Sequence, residues 1–359
     1  MKKFTTLSKI ERKNLIQKVA FELGMRFDII EKDIWVCYVL EKLFSIEELK
    51  GKIVFKGGTC LSKAYGLIER FSEDIDLTIS KSCLNIKGTS KKPKKIISNI
   101  RHATQDFIRL EIYELLKKAF DKDLEKNSWS LNFCEKDKDK STLLFQFPIS
   151  DDGKRFMSTN DGFGITINGS RMMVNIGHYN YIKPSIKLEF GARGDDWPCE
   201  EKTVEPYAKK ILPDFFNESQ VKVLDVKKNF IEKLLILHSV CLCPIERQLK
   251  NHYSRHYYDV FCLIKSGIAE ESLKFLEILK SVKENKIYFW DQSWEPYKDI
   301  NSFSDIKIVP TQGSRLKELE LDYEKMKEMF FDKYPNFLEM INELKHFQLK
   351  MVNFKTKMM

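Results

Sequence analysis

The chain has 359 residues, 43% hydrophobic and 31% charged, with 61 Lys and Arg against 52 Asp and Glu and a net charge of +9. That length accommodates two domains, each with its own core, and the composition excludes wholesale disorder. The longest nearly apolar run, Leu234 to Ile245, is broken by His238 and Ser239 and falls short of the roughly 18–20 residues of a spanning helix, so no membrane partner is expected.

The start of the chain, Met1-Lys2-Lys3-Phe4-Thr5-Thr6, lacks the apolar core of a secretory signal. A cytoplasmic protein whose eight cysteines are reduced thiols is the consequent expectation. Residues 8–23 carry Ile10, Leu15, Ile16, Val19, Ala20 and Leu23 at helical spacing, and a second helix is expected from Ile30 to Phe44. Ile53-Val54-Phe55 reads as a short strand ended by Gly57-Gly58, followed by a helix from Thr59 to Glu69. Asp74-Ile75-Asp76-Leu77-Thr78-Ile79 then alternates with period two, the pattern of a half-buried strand.

A basic loop from Lys81 to Lys95 precedes one long amphipathic helix expected over Ile96 to Phe120. Leu143 to Phe147 and Ser185 to Phe190 are further strands, separated by turns at Asp151-Asp152-Gly153 and Asp161-Gly162. From about Val221 helical patterns dominate, interrupted at Pro244, Gly267, Pro310 and Pro335. The expected architecture is an α/β domain over residues 1–220 and a helical domain over 221–359.

The chemistry concentrates between Phe55 and Leu77. Glycines at a strand-to-helix junction let a ligand approach the backbone, and exposed N–H groups there favour an anion. Asp74 and Asp76 lie two apart on a strand, so both carboxylates leave the same face. Paired carboxylates repel unless a cation sits between them, and hard oxygen ligands suit Mg²⁺ or Mn²⁺ shared with substrate phosphates. A phosphate cradle beside such a pair is what phosphoryl or nucleotidyl transfer requires.

The stretch Lys56-Gly57-Gly58-Thr59, Leu61, Lys63 and Arg70-Phe71-Ser72-Glu73-Asp74-Ile75-Asp76-Leu77 resembles the signature of the DNA polymerase β nucleotidyltransferase superfamily. Within it the stretch is similar to the AbiEii/AbiGii nucleotidyltransferase toxins of type IV toxin–antitoxin systems. The resemblance implies a polymerase β-like α/β domain with a mixed sheet, completed by a helical C-terminal domain. It implies an NTP substrate, a divalent metal on Asp74 and Asp76, a separately encoded antitoxin and, for some members, tRNA 3′ ends as acceptor. Gly57, Gly58, Thr59 and Ser72 would meet the nucleotide phosphates.

The later family elements match Glu232-Lys233-Leu234-Leu235 and Arg255-His256-Tyr257-Tyr258-Asp259, with His256 standing where the family commonly has Asp. By resemblance Lys233 would bind the triphosphate and Asp259 would position or deprotonate the acceptor. A compact lysine cation suits phosphate on physical grounds as well. A third metal carboxylate is expected on a later strand, and Glu189 alternates correctly for it. His252, His256, Cys241 and Cys243 match no structural-zinc spacing. The basic loop beside the aspartates would suit an RNA backbone, and Phe289, Trp290, Trp294 and Tyr297 read as a small aromatic core. The alternatives are transfer to a protein or small molecule, and a non-catalytic NTP- or RNA-binding module of the same fold.

Overall fold

The computed structural model describes residues 2–357, apart from 73, 87–92, 152–162, 168–169, 175–182, 193, 195, 290–293, 295 and 332–333. The turns expected at 152–153 and 161–162, and the middle of the basic loop, lie outside the described residues.

Helix α1 (Lys2–Thr5) is followed by α2 (Lys9–Leu23) and α3 (Phe27–Ser45). Ser8 and Glu11 form a reciprocal capping box at the start of α2, and Gly24 in the left-handed region closes it. Helix α3 is buried from Phe27 to Leu40, wrapping its apolar residues into the core on all sides. Four of its charged residues, Asp28, Glu31, Lys32 and Asp33, are buried too, and each has a partner, Arg26 in the case of Asp28. Glu31 accepts from the Ser150 N–H at 2.7 Å, and Lys32 donates to the Lys183 carbonyl at 3.0 Å.

Strand β1 (Ile53–Lys56) leads directly into α4 (Gly57–Lys63), and β2 (Asp74–Ile79) follows. Asp33 of α3 holds Lys63 of α4 at 2.7 Å and also accepts the Tyr207 N–H at 2.7 Å. The Lys63 ammonium lies 3.6 Å from the centre of the Tyr207 ring. Burial opposes the charge on Lys63, but the Asp33 carboxylate outweighs it and keeps the lysine protonated. This buried pair pins α4, and with it the Gly57-Gly58 junction, against α3.

The long helix expected over Ile96 to Phe120 is interrupted. Helix α5 (Pro93–Phe107) passes through a π-turn at Ile108–Ile112 into α6 (Tyr113–Asp123). The remaining strands are β3 (Ser130–Phe133), β4 (Thr142–Gln146), β5 (Phe163–Ile167), β6 (Ser170–Val174), β7 (Ser185–Gly191), β8 (Cys199–Val204) and β9 (Ser219–Leu224). Seven of the strands form one mixed sheet in the order β3-β4-β7-β2-β1-β9-β8, while β5 and β6 pair as a separate hairpin. Central β2 runs antiparallel to β1 and parallel to β7. Ile75, Leu77 and Ile79 are buried, as the alternation requires.

The helices that follow are α7 (Val226–Leu242), α8 (Ser254–Lys265), α9 (Ile268–Ser272), α10 (Leu276–Phe289), α11 (Gly313–Lys325) and α12 (Phe337–Lys357). Buried apolar residues divide into two large clusters. One runs from Phe4 to Val223, and the other gathers Val226 to Met351 together with Leu61 and Ile68. Residue 220 lies within β9, and Asp225 caps the start of α7 by accepting the Lys227 N–H. Among the described residues no helix is long and apolar enough to cross a membrane.

Candidate active site

Register brings the acidic residues together. Asp76 pairs with Glu189 across the parallel β2–β7 ladder and with Lys56 across the antiparallel β1–β2 ladder. Partners in register share a face, so Lys56, Asp76 and Glu189 form a row, with Asp74 two residues along the same face of β2. Asp74, Asp76 and Glu189 border one cavity of about 200 Å³, whose wall also includes Gly57, Gly58 and Ser72.

The facing wall is helical. Asn229, Glu232, Lys233 and Ile236 project from α7 at i, i+3, i+4 and i+7, and Arg255 and His256 come from α8. Lys286 of α10 completes the lining. Glu232 holds Lys56 at 3.3 Å, which ties the sheet to α7 directly over the carboxylates.

The glycines are there for space. Gly57 has φ +80°, and a Cβ on it would lie 2.0 Å from Asp76 Oδ2. A Cβ on Gly58 would meet the Arg70 guanidinium at 2.8 Å and Ser72 Oγ at 2.9 Å. The Gly57 N–H is already donated to Asn229 Oδ1 at 3.2 Å, so this group of the expected anion cradle is engaged by the protein itself. The Thr59 side chain, expected to meet phosphates, does not line the cavity. It is 1% exposed, and its hydroxyl donates to the carbonyls of Ser72 and Asp74, tying α4 to the start of β2.

Lys233 and Asp259 meet in a buried cluster. Asp259 Oδ1 and Oδ2 accept from the Arg70 guanidinium at 2.8 and 2.9 Å, and Oδ2 also accepts from Lys233 at 2.7 Å. Asp259 is fully buried; burial alone would raise its pKa, yet the charges of Arg70 and Lys233 hold it well below the usual carboxylate range. Both oxygens are occupied by cations, which gives this carboxylate no opening toward a substrate hydroxyl. Arg70 is placed by the backbone as well: it forms an isolated bridge with Phe330, and the Phe71 N–H donates to Met329 at 2.7 Å.

The electrostatics are those of an acid cluster facing cations. Burial, reinforced by the neighbouring charges of Glu189 and Asp74, pushes Asp76 up to about 6 despite Lys56 and Arg255. Burial and the charge on Lys56 push Lys286 down to about 8, with Glu232 opposing. Burial, with Lys233 and Arg255, keeps His256 neutral. Its Nδ1 is buried and has no hydrogen-bond partner among the described residues.

A hard cation would fit this donor set, because it would offset the burial and the carboxylate repulsion that together raise Asp76. Glu189, however, ion-pairs with Lys187 on its own strand. Among the described residues no three His, Cys, Asp or Glu side chains are grouped so as to hold a metal ion. Asp74 and Asp76 would be the core of the metal site, and Glu189 would join it by leaving Lys187.

Lys56, Arg70, Glu232 and Arg255 belong to the sequence motifs but gain a place in the site only from the fold, and Asn229 and Lys286 lie outside those motifs. The local signal in α7 is a polar stripe, Asn229, Glu232 and Lys233, next to the apolar run Leu234 to Leu237. Nothing local marks Lys286, which reaches the site only through the packing of α10 on α7.

Residues 38–348 match the family model described as "Nucleotidyl transferase AbiEii toxin, Type IV TA system". No curated protein matches the chain. Among solved structures, the chain is similar to MenT4, a nucleotidyltransferase toxin from Mycobacterium tuberculosis H37Rv, at 13% identity over 97% of each chain with a TM-score of 0.43. The family match spans most of the chain, from α3 through α12, and includes the strand–Gly-Gly–helix junction, the paired aspartates and the helical wall opposite them: this protein belongs to the AbiEii family of nucleotidyltransferase toxins of type IV toxin–antitoxin systems.

Proposed function

We propose that the protein transfers a nucleoside monophosphate from an NTP to the 3′-terminal hydroxyl of tRNA, in a Mg²⁺- or Mn²⁺-dependent reaction. The observation that carries this reading is one cavity lined by Asp74, Asp76 and Glu189, with Lys56 in their row, together with Arg70, Lys233, Arg255 and Lys286. Carboxylates opposite a bank of cations are the complement of a metal-bound triphosphate. When bound, the metal would supply Lewis-acid stabilisation of charge on the phosphates.

The protein's own groups do the rest. Lys233 and Arg255 bind triphosphate oxygens, with Gly58 and Ser72 allowing the chain to pass close by. The acceptor oxygen attacks the α-phosphorus as the bond to the bridging oxygen of the β-phosphate breaks. Pyrophosphate leaves with that electron pair, and the hydroxyl proton passes to the carboxylate cluster. Asp259 acts as a positioning residue, holding Arg70 and Lys233 at the edge of the cavity. In this reading residues 1–220 are the catalytic domain and 221–359 the helical domain that completes the site. A separately encoded antitoxin restrains the activity, as the family description implies.

The test is to incubate the protein with each labelled NTP, Mg²⁺ and total cellular RNA, and in parallel with protein extract. Label entering tRNA, and lost in Asp74→Ala and Asp76→Ala, supports the reading. No transfer to RNA at high enzyme concentration refutes it, and label in protein alone assigns the other acceptor class.

A further inference from the structure

A second cavity, of about 290 Å³, adjoins the first, and the two share Lys56, Asp76 and Glu189 as a common wall. None of Gly57, Gly58, Arg70, Lys233 or Arg255 borders this second space. Its other walls come from different elements. Helix α5 contributes Ile97, Ile100, Arg101 and Thr104, spaced i, i+3, i+4 and i+7 on one face. Phe190 comes from β7 and Phe289 from the last turn of α10.

The space has an apolar side formed by Ile97, Ile100, Phe190 and Phe289 and a polar side formed by Thr78, Thr104, Asp139 and Ser141, with basic side chains nearby. Ile100 and Phe190 are buried. Arg101 is exposed, and its guanidinium lies 3.6 Å from Asp139, a loose surface pair. Lys94 is exposed and sits one turn before Ile97 on the same face of α5. The Lys81 ammonium lies 5.2 Å from the centre of the Phe289 ring. Lysines at both ends of the basic segment therefore neighbour residues that line this cavity, Lys81 beside Phe289 and Lys94 one turn from Ile97.

We propose that this second cavity is the acceptor subsite and that it takes the 3′-terminal nucleoside of an RNA strand, an inference that rests on the nucleotidyl-transfer reading above. In-line displacement at the α-phosphorus requires the acceptor oxygen and the leaving pyrophosphate on opposite sides. The acceptor must then reach the carboxylates from a space they share with the triphosphate site but which lies outside the cation cradle. This cavity meets that condition. Its aliphatic and aromatic walls suit the face of a base, and Arg101, Lys94 and Lys81 at the approach suit the phosphates that precede it. The terminal hydroxyl would point to the Asp76–Glu189 wall.

Two kinds of variant of the full-length protein test the assignment. Ile97→Trp fills the cavity from a half-buried helix position, while Arg101→Gln and Lys94→Gln change only exposed side chains. Initial rates are measured with Mg²⁺, labelled NTP and size-selected small cellular RNA, varying RNA and NTP in turn. Ile97→Trp should raise the RNA concentration for half-maximal rate by at least about tenfold, the scale of one lost base-stacking contact. Each charge variant should raise it roughly threefold and flatten its salt dependence. The NTP concentration for half-maximal rate should stay within about twofold, because the cation cradle is untouched.

An unchanged RNA dependence in all three variants overturns the proposal. So does a shift in the NTP dependence instead, which would assign the cavity to the base of the incoming nucleotide. If Ile97→Trp proves unfolded by circular dichroism, the two charge variants decide. A wild-type protein that labels no RNA defeats the transfer reading, and the acceptor subsite falls with it. Normal labelling by the wild type and all variants defeats the subsite alone.

Discussion

Asp259→Asn removes the negative charge held between Arg70 and Lys233 while preserving side-chain volume. Asp259 is fully buried, and its three cation contacts measure 2.7 to 2.9 Å. Removing one partner of a buried ion pair costs about 3–5 kcal/mol, and here two cations are left facing each other, so the upper end applies. At roughly 2–4 °C per kcal/mol for a domain of this size, the melting temperature should fall by about 10–20 °C. Thermal unfolding of wild type, Asp259→Asn, Lys233→Met and the double variant at neutral pH measures it.

The double variant should recover part of the loss, with a coupling of about 1–3 kcal/mol, because one of the two unpaired cations is gone. The sign with pH is fixed by the depressed pKa of Asp259. Its stabilisation is present above the unfolded carboxyl value near ~3.9 and is lost as pH falls through the lower folded value. The gap between wild type and Asp259→Asn should therefore hold steady through the neutral range and close in acid. A variant that melts within about 2 °C of wild type yet has no activity would refute the positioning role and make the carboxylate a chemical participant.

The glycine at the junction gives a second prediction: Gly57→Ala should lose transfer activity by about 100-fold or more with the fold retained, since its Cβ would occupy the position of the Asp76 carboxylate. Wild-type turnover in that variant would show that Asp76 does not need its present position. Because Asp76 is raised to about 6 in the metal-free protein, Mn²⁺ must displace a proton below that pH. Mn²⁺ affinity followed by electron paramagnetic resonance should climb up to about tenfold per pH unit below pH ~6 and level off above it, whereas Asp76→Asn should bind weakly at every pH. A flat wild-type profile from acid to neutral would contradict the shared acidic site. Lys286, lowered to about 8, should be charged at neutral pH and lose its proton in mild alkali. The NTP concentration for half-maximal rate should rise across that step, and Lys286→Arg, which stays charged, should abolish the rise; identical profiles would remove Lys286 from nucleotide binding.

The sequence by itself determined the parts whose signal is local. Strict alternation over Asp74 to Ile79 is a property of six consecutive residues, and it alone puts both aspartates on one face. The Gly-Gly junction between strand and helix is local in the same way. Strand β8 has no local signal because it is an edge strand, Cys-Glu-Glu-Lys-Thr-Val, half wetted and without an apolar alternation. Its neighbour β9 looked like the start of the helical region, although its pairing with β1 makes it part of the sheet.

What only the tertiary structure decided is how distant residues meet. Glu189 joins Asp76 because two strands more than a hundred residues apart pair in parallel at one register, which no local pattern encodes. Thr59 shows the opposite case: its position in the motif suggested a phosphate contact, but the return of the chain to β2 turns its hydroxyl onto backbone carbonyls. Asp259 is marked in the sequence only by its match to a family element, and its role follows from Arg70, arriving from 189 residues away in sequence, closing on it. Periodicity fixes which face of an element a side chain takes; the packing of that face against another element fixes what the side chain can do.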